Sequence, residues 1–530
     1  MNPRWVFLIV GGIGLSSPVA RAETLADAIA LAYQSNPTLQ AGRAQLRALD
    51  ESIVQAQAGY RPTAQIQVEP SYQKSQQIDV LGQKIDPQNG LVGSAIVSLN
   101  QPIYSGGRTT NAVRAASDDI AGGREALRGI EAQVLQAVVQ AYEDVRRDEK
   151  ILSIHEAEVT ALQGHLDDTR AKLKAGEVTR TDVEQSEANL QSARANLSLA
   201  QGQLQISRSA YVAVVGQNPG ALADAPPLPG PPNTVDEAFQ LAESHNPTIL
   251  RAEIAEHASA HRIAEARSAY RPTVTLSASY GYTGIITPFA TNQFDRQAAV
   301  GVVVTQPLLS GGLTASNIRQ AIETNNSDRI NIETARRTVV QAVSQAWSQV
   351  LANRASAASD ERALTSARLY FADTLEEYKV GQRATLDVLI GEQTLTGAEI
   401  ALATARHDAY LADATLLNAV GRMEAENLVA AQPVYDPVAA FRKVSHAGAL
   451  PWQPVFSQID ALAAPHRGPI DPIAAPKLAA HPTSIEGPPI PADAAPATDD
   501  PTLPIAHTTS PDTPVRVDSA QSQSHPDAPN

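Results

Sequence analysis

Two stretches, LKAGEVTRTDV at 173–183 and YKVGQRATLDV at 378–388, carry the most suggestive chemistry in this chain. They lie 205 residues apart, with Gly176 in register with Gly381 and Asp182 with Asp387. Each interrupts a long Ala-, Leu- and Val-rich helical region and sets charged side chains beside the break. Glycine tolerates the left-handed backbone that closes a helix, so Gly176 and Gly381 read as helix ends. Thr181 followed by Glu184 fits a capping box for the helix that returns. The chemistry on offer is ionic. Such groups pair, solvate a helix tip or line an opening, and none of them transfers a group.

Catalytic patterns are scarce elsewhere. His257 and His261, in HASAH, have the four-residue helical spacing of a metal site. No third ligand or positioned acid accompanies them, and they read as solvated histidines on a helix face. The chain has no cysteine, no glycine-rich phosphate loop and no serine nucleophile elbow. No enzyme activity, metal or cofactor is expected.

A chain of 530 residues exceeds one ordinary compact core, so several domains or an elongated repeat must position these turns. Residues 1–22 read as an export signal: Arg4, an apolar run from Trp5 to Leu15, then Ala20-Arg21-Ala22 as a cleavage site. Removing it takes the net charge from -15 to -17, since Arg4 and Arg21 leave. An acidic exported protein is a poor nucleic-acid binder. No later stretch is apolar enough for a transmembrane helix, so any membrane entry must be by strands.

The body is one unit written twice, 23–233 and 234–445. TLADAIALAYQSNPTLQ at 24–40 returns as TVDEAFQLAESHNPTIL at 234–250, and GYRPT at 59–63 as AYRPT at 269–273. Over 24–63 and 234–273, fourteen of forty positions are identical at an offset of 210. Beyond NQPIYSGG (100–107) and TQPLLSGG (305–312) the offset is 205, which puts a five-residue deficit between 63 and 100, in one loop. Each unit carries a strand pair, about 62–104 and about 272–309. In TVTLSASYGY, Val274, Leu276, Ala278, Tyr280 and Tyr282 share one face and small or polar residues the other. Strands of this length and alternation fit a bilayer-crossing barrel; the alternative is a soluble hairpin packed on helices. Four strands cannot close a barrel, and an open edge in lipid is forbidden, so membrane strands must pool with those of other copies. Two copies give eight and three give twelve, and the strands alone do not choose.

Helical hairpins follow, about 108–216 and about 313–421. Val138, Val145, Leu152, Val159, Leu166 and Leu173 repeat every seven residues, matched by Val343, Val350, Ala357, Leu364, Phe371 and Tyr378. After each break a new frame runs Val183, Leu190, Leu197, Leu204, Tyr211 and Val388, Leu395, Leu402, Ala409, Leu416. Seven-residue periodicity implies left-handed coiling. The proline-free run from Arg108 to Leu173 spans about 100 Å at 1.5 Å per residue. Because 182–215 returns only half way, 38–59 must approach the strands from the middle, two short helices beside each long one. Residues 446–530 form a tail; the 80 residues from Pro451 hold 17 of the 36 prolines and read as disordered.

The doubled unit, TLADAIALAYQSNPTL, the GYRPT and QPIYSGG pairs, and YKVGQRATLDVLIGEQTL leading into LLNAVGRM resemble the TolC family of outer-membrane channels over about 23–445. VYDPVAAFRKV is similar to the ending of the branch that serves type I protein secretion. The resemblance implies an α+β membrane protein in the outer membrane of a Gram-negative bacterium, with a large periplasmic part. It implies a homotrimer whose twelve strands form one barrel in outer-membrane lipid, continued by a long periplasmic helical barrel. It further implies an exit duct with a periplasmic adaptor protein and an inner-membrane transporter of ABC type as partners. Tyr378 and Arg383 fall where the family's gate tyrosine and arginine sit, Thr181 and Asp182 where their polar partners sit, and Asp387 at the upper position of an acidic ring. The family's next aspartate is replaced by Ile390, and Glu392 faces another side of the helix, so one acidic ring is expected. Small-molecule efflux is the alternative cargo class. A trimeric coiled-coil adhesin, the rival of another class, would carry its strands at the C-terminus rather than in two internal pairs.

Overall fold

The computed structural model describes residues 22–75, 88–286, 294–429 and 435–464. The export signal as far as residue 21, residues 76–87, 287–293 and 430–434, and the chain after 464 lie outside the described residues. The first repeat runs α1 (Leu25–Ser35), α2 (Pro37–Gln57), a 3-10 turn (Ala58–Tyr60), β1 (Thr63–Ser75), β2 (Gln88–Tyr104), α3 (Arg108–Ala175) and α4 (Arg180–Val215). The second runs α5 (Val235–His245), α6 (Pro247–Ser268), β3 (Thr273–Ile285), β4 (Phe294–Thr305), α7 (Leu313–Lys379) and α8 (Thr385–Ala419). Three short helices follow: α9 (Ala425–Leu428), α10 (Pro437–Val444) and α11 (Gln453–Ala461).

The strands form one antiparallel sheet in the order β1-β2-β3-β4, with β2 paired to β3 across the repeat boundary. Strand alternation sorts the sheet into two faces. Ile66, Val68 and Tyr72 of β1 pair with Val97, Ala95 and Leu91 of β2. Those continue into Tyr280 and Tyr282 of β3 and Ala298, Val300 and Val302 of β4. The opposite face carries Gln65, Gln67, Ser94, Ser98, Ser277, Ser279, Gln297 and Gly301. The apolar face is uncovered: Ile66 is 70% exposed, Tyr72 70% and Val300 79%. At the sheet's root Thr63 pairs with Asn100 and Thr273 with Thr305. The five-residue deficit therefore lies beyond those root pairs, toward the outer end of the hairpins.

The helices below the sheet pack side by side. Long α3 stands between α2 and α4 on one flank and α6 and α8 on the other, with α7 beyond α6 and α8. Every residue of the heptad frames is buried or half-buried. The short helices are joined end to end by two asparagines. Asn36 Oδ1 accepts from Thr38 N at 2.9 Å while its Nδ2 donates to Val214 O at 2.9 Å. Asn246 repeats this with Thr248 N and Ala419 O, both at 2.8 Å. One buried side chain thus starts α2 and finishes α4, and its counterpart starts α6 and finishes α8. Pro37 and Pro247 at the first helical position forgo an N–H that would have no partner there anyway. Around the first junction lies the largest buried cluster, including Ile29, Leu39, Leu135, Tyr142, Tyr211 and Leu417.

The expectation of disorder from residue 446 fails at α11, which is ordered because it binds the chain's own strand root. Asp460 is 1% exposed. Its carboxylate accepts from Ser105 N (2.8 Å), Gly107 N (2.9 Å), Thr110 N (3.1 Å), Ser105 Oγ (2.8 Å) and Thr110 Oγ1 (2.8 Å). It caps α3 from 350 residues away, where Gly107 (φ 86°) offers no side-chain cap of its own. A Cβ at Gly107 would stand 3.1 Å from the Ala463 carbonyl, so the glycine also admits the incoming chain. Both repeated arginines join: Arg61 Nε donates to Gln453 Oε1 at 3.4 Å, and Arg271 Nη1 to Ala463 O and Gly106 O. Burial raises the Asp460 pKa, but the Gly107 and Ser105 donors outweigh it and hold the carboxyl below its usual 3.8. That contribution to stability is complete above 3.8 and is lost as pH falls through the lower folded value.

Two outcomes follow from these end contacts. Asn36→Ala and Asn246→Ala each remove a cap worth about 1 kcal/mol, so the double variant lowers the thermal midpoint more than either single variant. Asp460→Ala leaves five donors without their acceptor, and at about 1–3 kcal/mol for an orphaned buried group it exposes 453–464 to protease while the helical body stays resistant.

Candidate functional site: the helical hairpin tips

The two tips are built alike. Gly176 has φ 80° and Gly381 φ 79°. Gly176 N donates to Leu173 O and Glu177 N to Lys172 O, both at 3.0 Å; Gly381 N donates to Tyr378 O (3.0 Å) and Gln382 N to Glu377 O (2.9 Å). This is the glycine-terminated C-cap in duplicate, 205 residues apart.

The returning helices start differently from the expected box. Thr179, not Thr181, is the N-cap of α4, and Asp182, not Glu184, closes the box. Asp182 N donates to Thr179 Oγ1 at 3.4 Å, while Asp182 Oδ2 accepts from Thr179 N and Oγ1 at 2.8 Å each. These hydrogen bonds lower the Asp182 pKa. Thr181 is left exposed in the first turn, and Glu184 stands 3.7 Å from Arg180. The left-handed glycine at 176 shortens the turn, so the chain reaches helical geometry two residues sooner than a Thr181 cap requires. In the second tip Ala384 has no acceptor to offer, and only half a box remains, Ala384 N donating to Asp387 Oδ2 at 3.2 Å. Asp182 and Asp387 therefore hold matching third-turn-residue positions and fix the start of their helices.

Tyr378 ties the second tip to the first hairpin. Its hydroxyl donates to Asp168 Oδ2 on α3 at 3.2 Å. Lys172 lies 3.0 Å from the same carboxylate oxygen and 4.0 Å above the Tyr378 ring, a cation–π contact. Burial pulls the Lys172 pKa down, but Tyr378 and Asp168 more than reverse it, and the ammonium stays charged. Arg383 does not reach Thr181 or Asp182 within the chain; its Nε donates to Glu377 Oε2 at 2.7 Å. That contact raises the Arg383 pKa. One turn beyond Asp387, Ile390 is 45% exposed, while Glu392 is 8% exposed and turned into the helix packing. Asp168, Lys172 and Glu377 escaped the sequence reading, although the Asp168–Lys172 spacing of four is a recognisable helical pair.

Above the tips a polar network pins α8 to α3. Buried His407 places Nε2 2.9 Å from Asp144 and Nδ1 2.8 Å from Asp408. Arg147 bonds Asp144 (2.9 Å) and Asp148 (2.8 Å), and Ser207 of α4 donates to Asp148. Burial opposes charge on His407, but the two carboxylates win and raise its pKa. Of the HASAH histidines, His257 is exposed and His261 Nε2 stands 3.6 Å from Asp118 Oδ2. Among the described residues no group of three or more His, Cys, Asp or Glu is placed to hold a metal ion.

This architecture has known counterparts. The family described as Outer membrane efflux protein matches residues 28–217 and 238–422, one stretch in each repeat. Outer membrane efflux protein BepC of Brucella suis is 34% identical over 438 residues, covering 82% of this chain and 94% of that protein. Outer membrane protein TolC of Escherichia coli K12 is 28% identical over 444 residues, covering 80% and 87%. The crystal structure of outer membrane protein VceC of Vibrio cholerae superposes with a TM-score of 0.63 at 21% identity, covering 75% of this chain and 96% of that one. The chain belongs to the outer membrane efflux protein family: it is a TolC-family channel of the Gram-negative outer membrane, with its helical part in the periplasm.

Proposed function

We propose that three copies of this chain form the exit duct of a tripartite export system, carrying substrate from an inner-membrane transporter across periplasm and outer membrane. The observation that carries this reading is the four-stranded sheet with an uncovered apolar face and free edges at β1 and β4. Unpaired backbone groups are not tolerated in hydrocarbon, so the edges are paired by neighbouring copies. Three copies supply twelve strands, the number the family resemblance implies, and the helices continue the barrel into the periplasm. A periplasmic adaptor protein and an ABC-type transporter complete the assembly.

The tips are the gate. Tyr378, Arg383, Thr181, Asp182 and Asp387 hold the inner hairpins coiled inward at the closed end, and Asp387 from each copy forms one acidic ring above Ile390. All these groups are at or near the surface, so each ion pair is screened and weak. A docking partner can therefore release them, and opening is an untwisting between two packed arrangements rather than a chemical step. Three carboxylates on one axis favour cations.

The cargo in this reading is protein, by type I secretion, on the similarity of VYDPVAAFRKV to the ending of that branch. Small-molecule efflux is the second reading, favoured by the name of the Brucella relative, an efflux protein. In planar lipid bilayers Arg383→Ser raises the conductance of the purified channel; an unchanged conductance removes Arg383 from the gate. Deleting the gene empties the secreted proteome of the exported protein and leaves drug susceptibility unaltered, whereas the reverse pattern assigns the channel to efflux.

A further inference from the structure

Near the tips, α8 of the second hairpin lies in the groove of the first. Leu389 is 5% exposed and packs with Leu162 and Leu166 of α3 and Leu190 and Ala193 of α4. Beside it, in the same interface, sits Glu392. One of its oxygens, Oε2, is buried without a hydrogen-bond partner. The nearest basic group is His165 of α3, whose Nε2 is 3.9 Å away, beyond hydrogen-bond reach. The other charged groups facing Glu392 are acidic: Glu158 of α3, already paired with His155 at 2.9 Å, and Glu399 of α8, paired with Arg368 of α7 at 3.0 Å. From α7, Phe371 and Tyr370 pack on the adjacent Gly391. From α4 the facing residues in the cluster are apolar. His165 in turn faces Asp168 and Lys172, the pair that holds Tyr378.

We propose that Glu392, facing His165, is a proton-operated latch between the two hairpins: the protonated carboxyl keeps α8 seated in the groove of α3 and α4, and its ionisation loosens the seat and favours the open tip. The contrast along one interface supports this. Higher up, where α8 meets α3 at His407, each ring nitrogen has a carboxylate within 2.9 Å and the contact is satisfied with charges in place. At Glu392 the same interface offers burial and two like charges, conditions that penalise the carboxylate and spare the acid. Burial first, then Glu158 and Glu399, lift the Glu392 pKa from 4.5 to about 7.

A carboxyl whose pKa is raised in the packed state supports packing fully below its free value of 4.5, and the support is lost as pH rises through about 7. His165, pulled below 6.5 by burial, acts in the opposite sense: packing favours its neutral form and weakens only as pH falls below 6.5. Seating is thus tightest in mildly acid solution and slackens toward alkaline pH through Glu392.

The proposal rests on the tips being the gate, and two readouts separate the two ideas. The chain has no cysteine, so Leu389→Cys places a single thiol in the groove and Leu386→Cys, at a site 52% exposed, provides a reference for the thiol's own titration. Between about pH 5.5 and about pH 8.5 the ratio of labelling rates at 389 and 386 rises about tenfold, and Glu392→Gln, a permanent mimic of the protonated acid, holds it at its low-pH value. Channel conductance follows the same profile and is likewise flattened by Glu392→Gln. Labelling that responds to pH and to Glu392→Gln while conductance does not leaves the latch standing and removes the gate reading. A labelling profile unchanged by Glu392→Gln overturns the latch.

Discussion

A peptide N–H or C=O stranded in hydrocarbon costs several kcal/mol, and β1 and β4 each present a row of them along one side. The sheet already meets this demand internally, since β2 and β3 bridge the two repeats without an interruption at the boundary. What one copy cannot do is close the ring. The same demand shapes the helical part. Helix ends buried inside the stack lack water and need a supplied partner, while those at the exposed tips close on their own chain. Asn36 and Asn246 serve two helices apiece, Gly176 and Gly381 turn the chain so that its own carbonyls are reused, and Asp460 arrives from 350 residues further along the chain to cap the start of α3.

Duplication makes much of this legible in advance. A contact that occurs in both repeats leaves two traces at a constant offset, and the Asn-Pro junctions, the glycine tips and the strand faces all appeared in that way. Features used once left no such trace. Ser105-Gly106-Gly107 and Ser310-Gly311-Gly312 are identical in sequence, yet only the first is capped by Asp460 among the described residues. Nothing in the proline-rich composition around Gln453–Ala461 announces a helix, because its order comes from a distant docking contact rather than from local propensity. At the first tip, Thr179/Asp182 and Thr181/Glu184 both satisfy the same spacing rule. Turn length decided between them, which no pattern of side chains records.

The interface between the hairpins shows how stability is graded along the shaft. At mid-height, Tyr142 donates to Glu23 O and Ala223 O, and His407, Arg147 and Asp148 are mutually satisfied. Toward the tips the buried contacts thin to one small apolar cluster, an under-satisfied carboxyl and a solvent-facing Tyr378–Asp168–Lys172 group. Regions that open locally are drawn from the least stabilised part of a fold. In the proposed trimer the movable end is therefore the end that the packing leaves weakest.

The asparagine junctions have a mechanical consequence. At this level α3 and α7 are covalently continuous, whereas α2 meets α4, and α6 meets α8, through side-chain hydrogen bonds and apolar packing rather than backbone. In the proposed duct only α3 and α7 carry covalent backbone past this level toward the strands, so an untwisting tip would load two rods per copy rather than four.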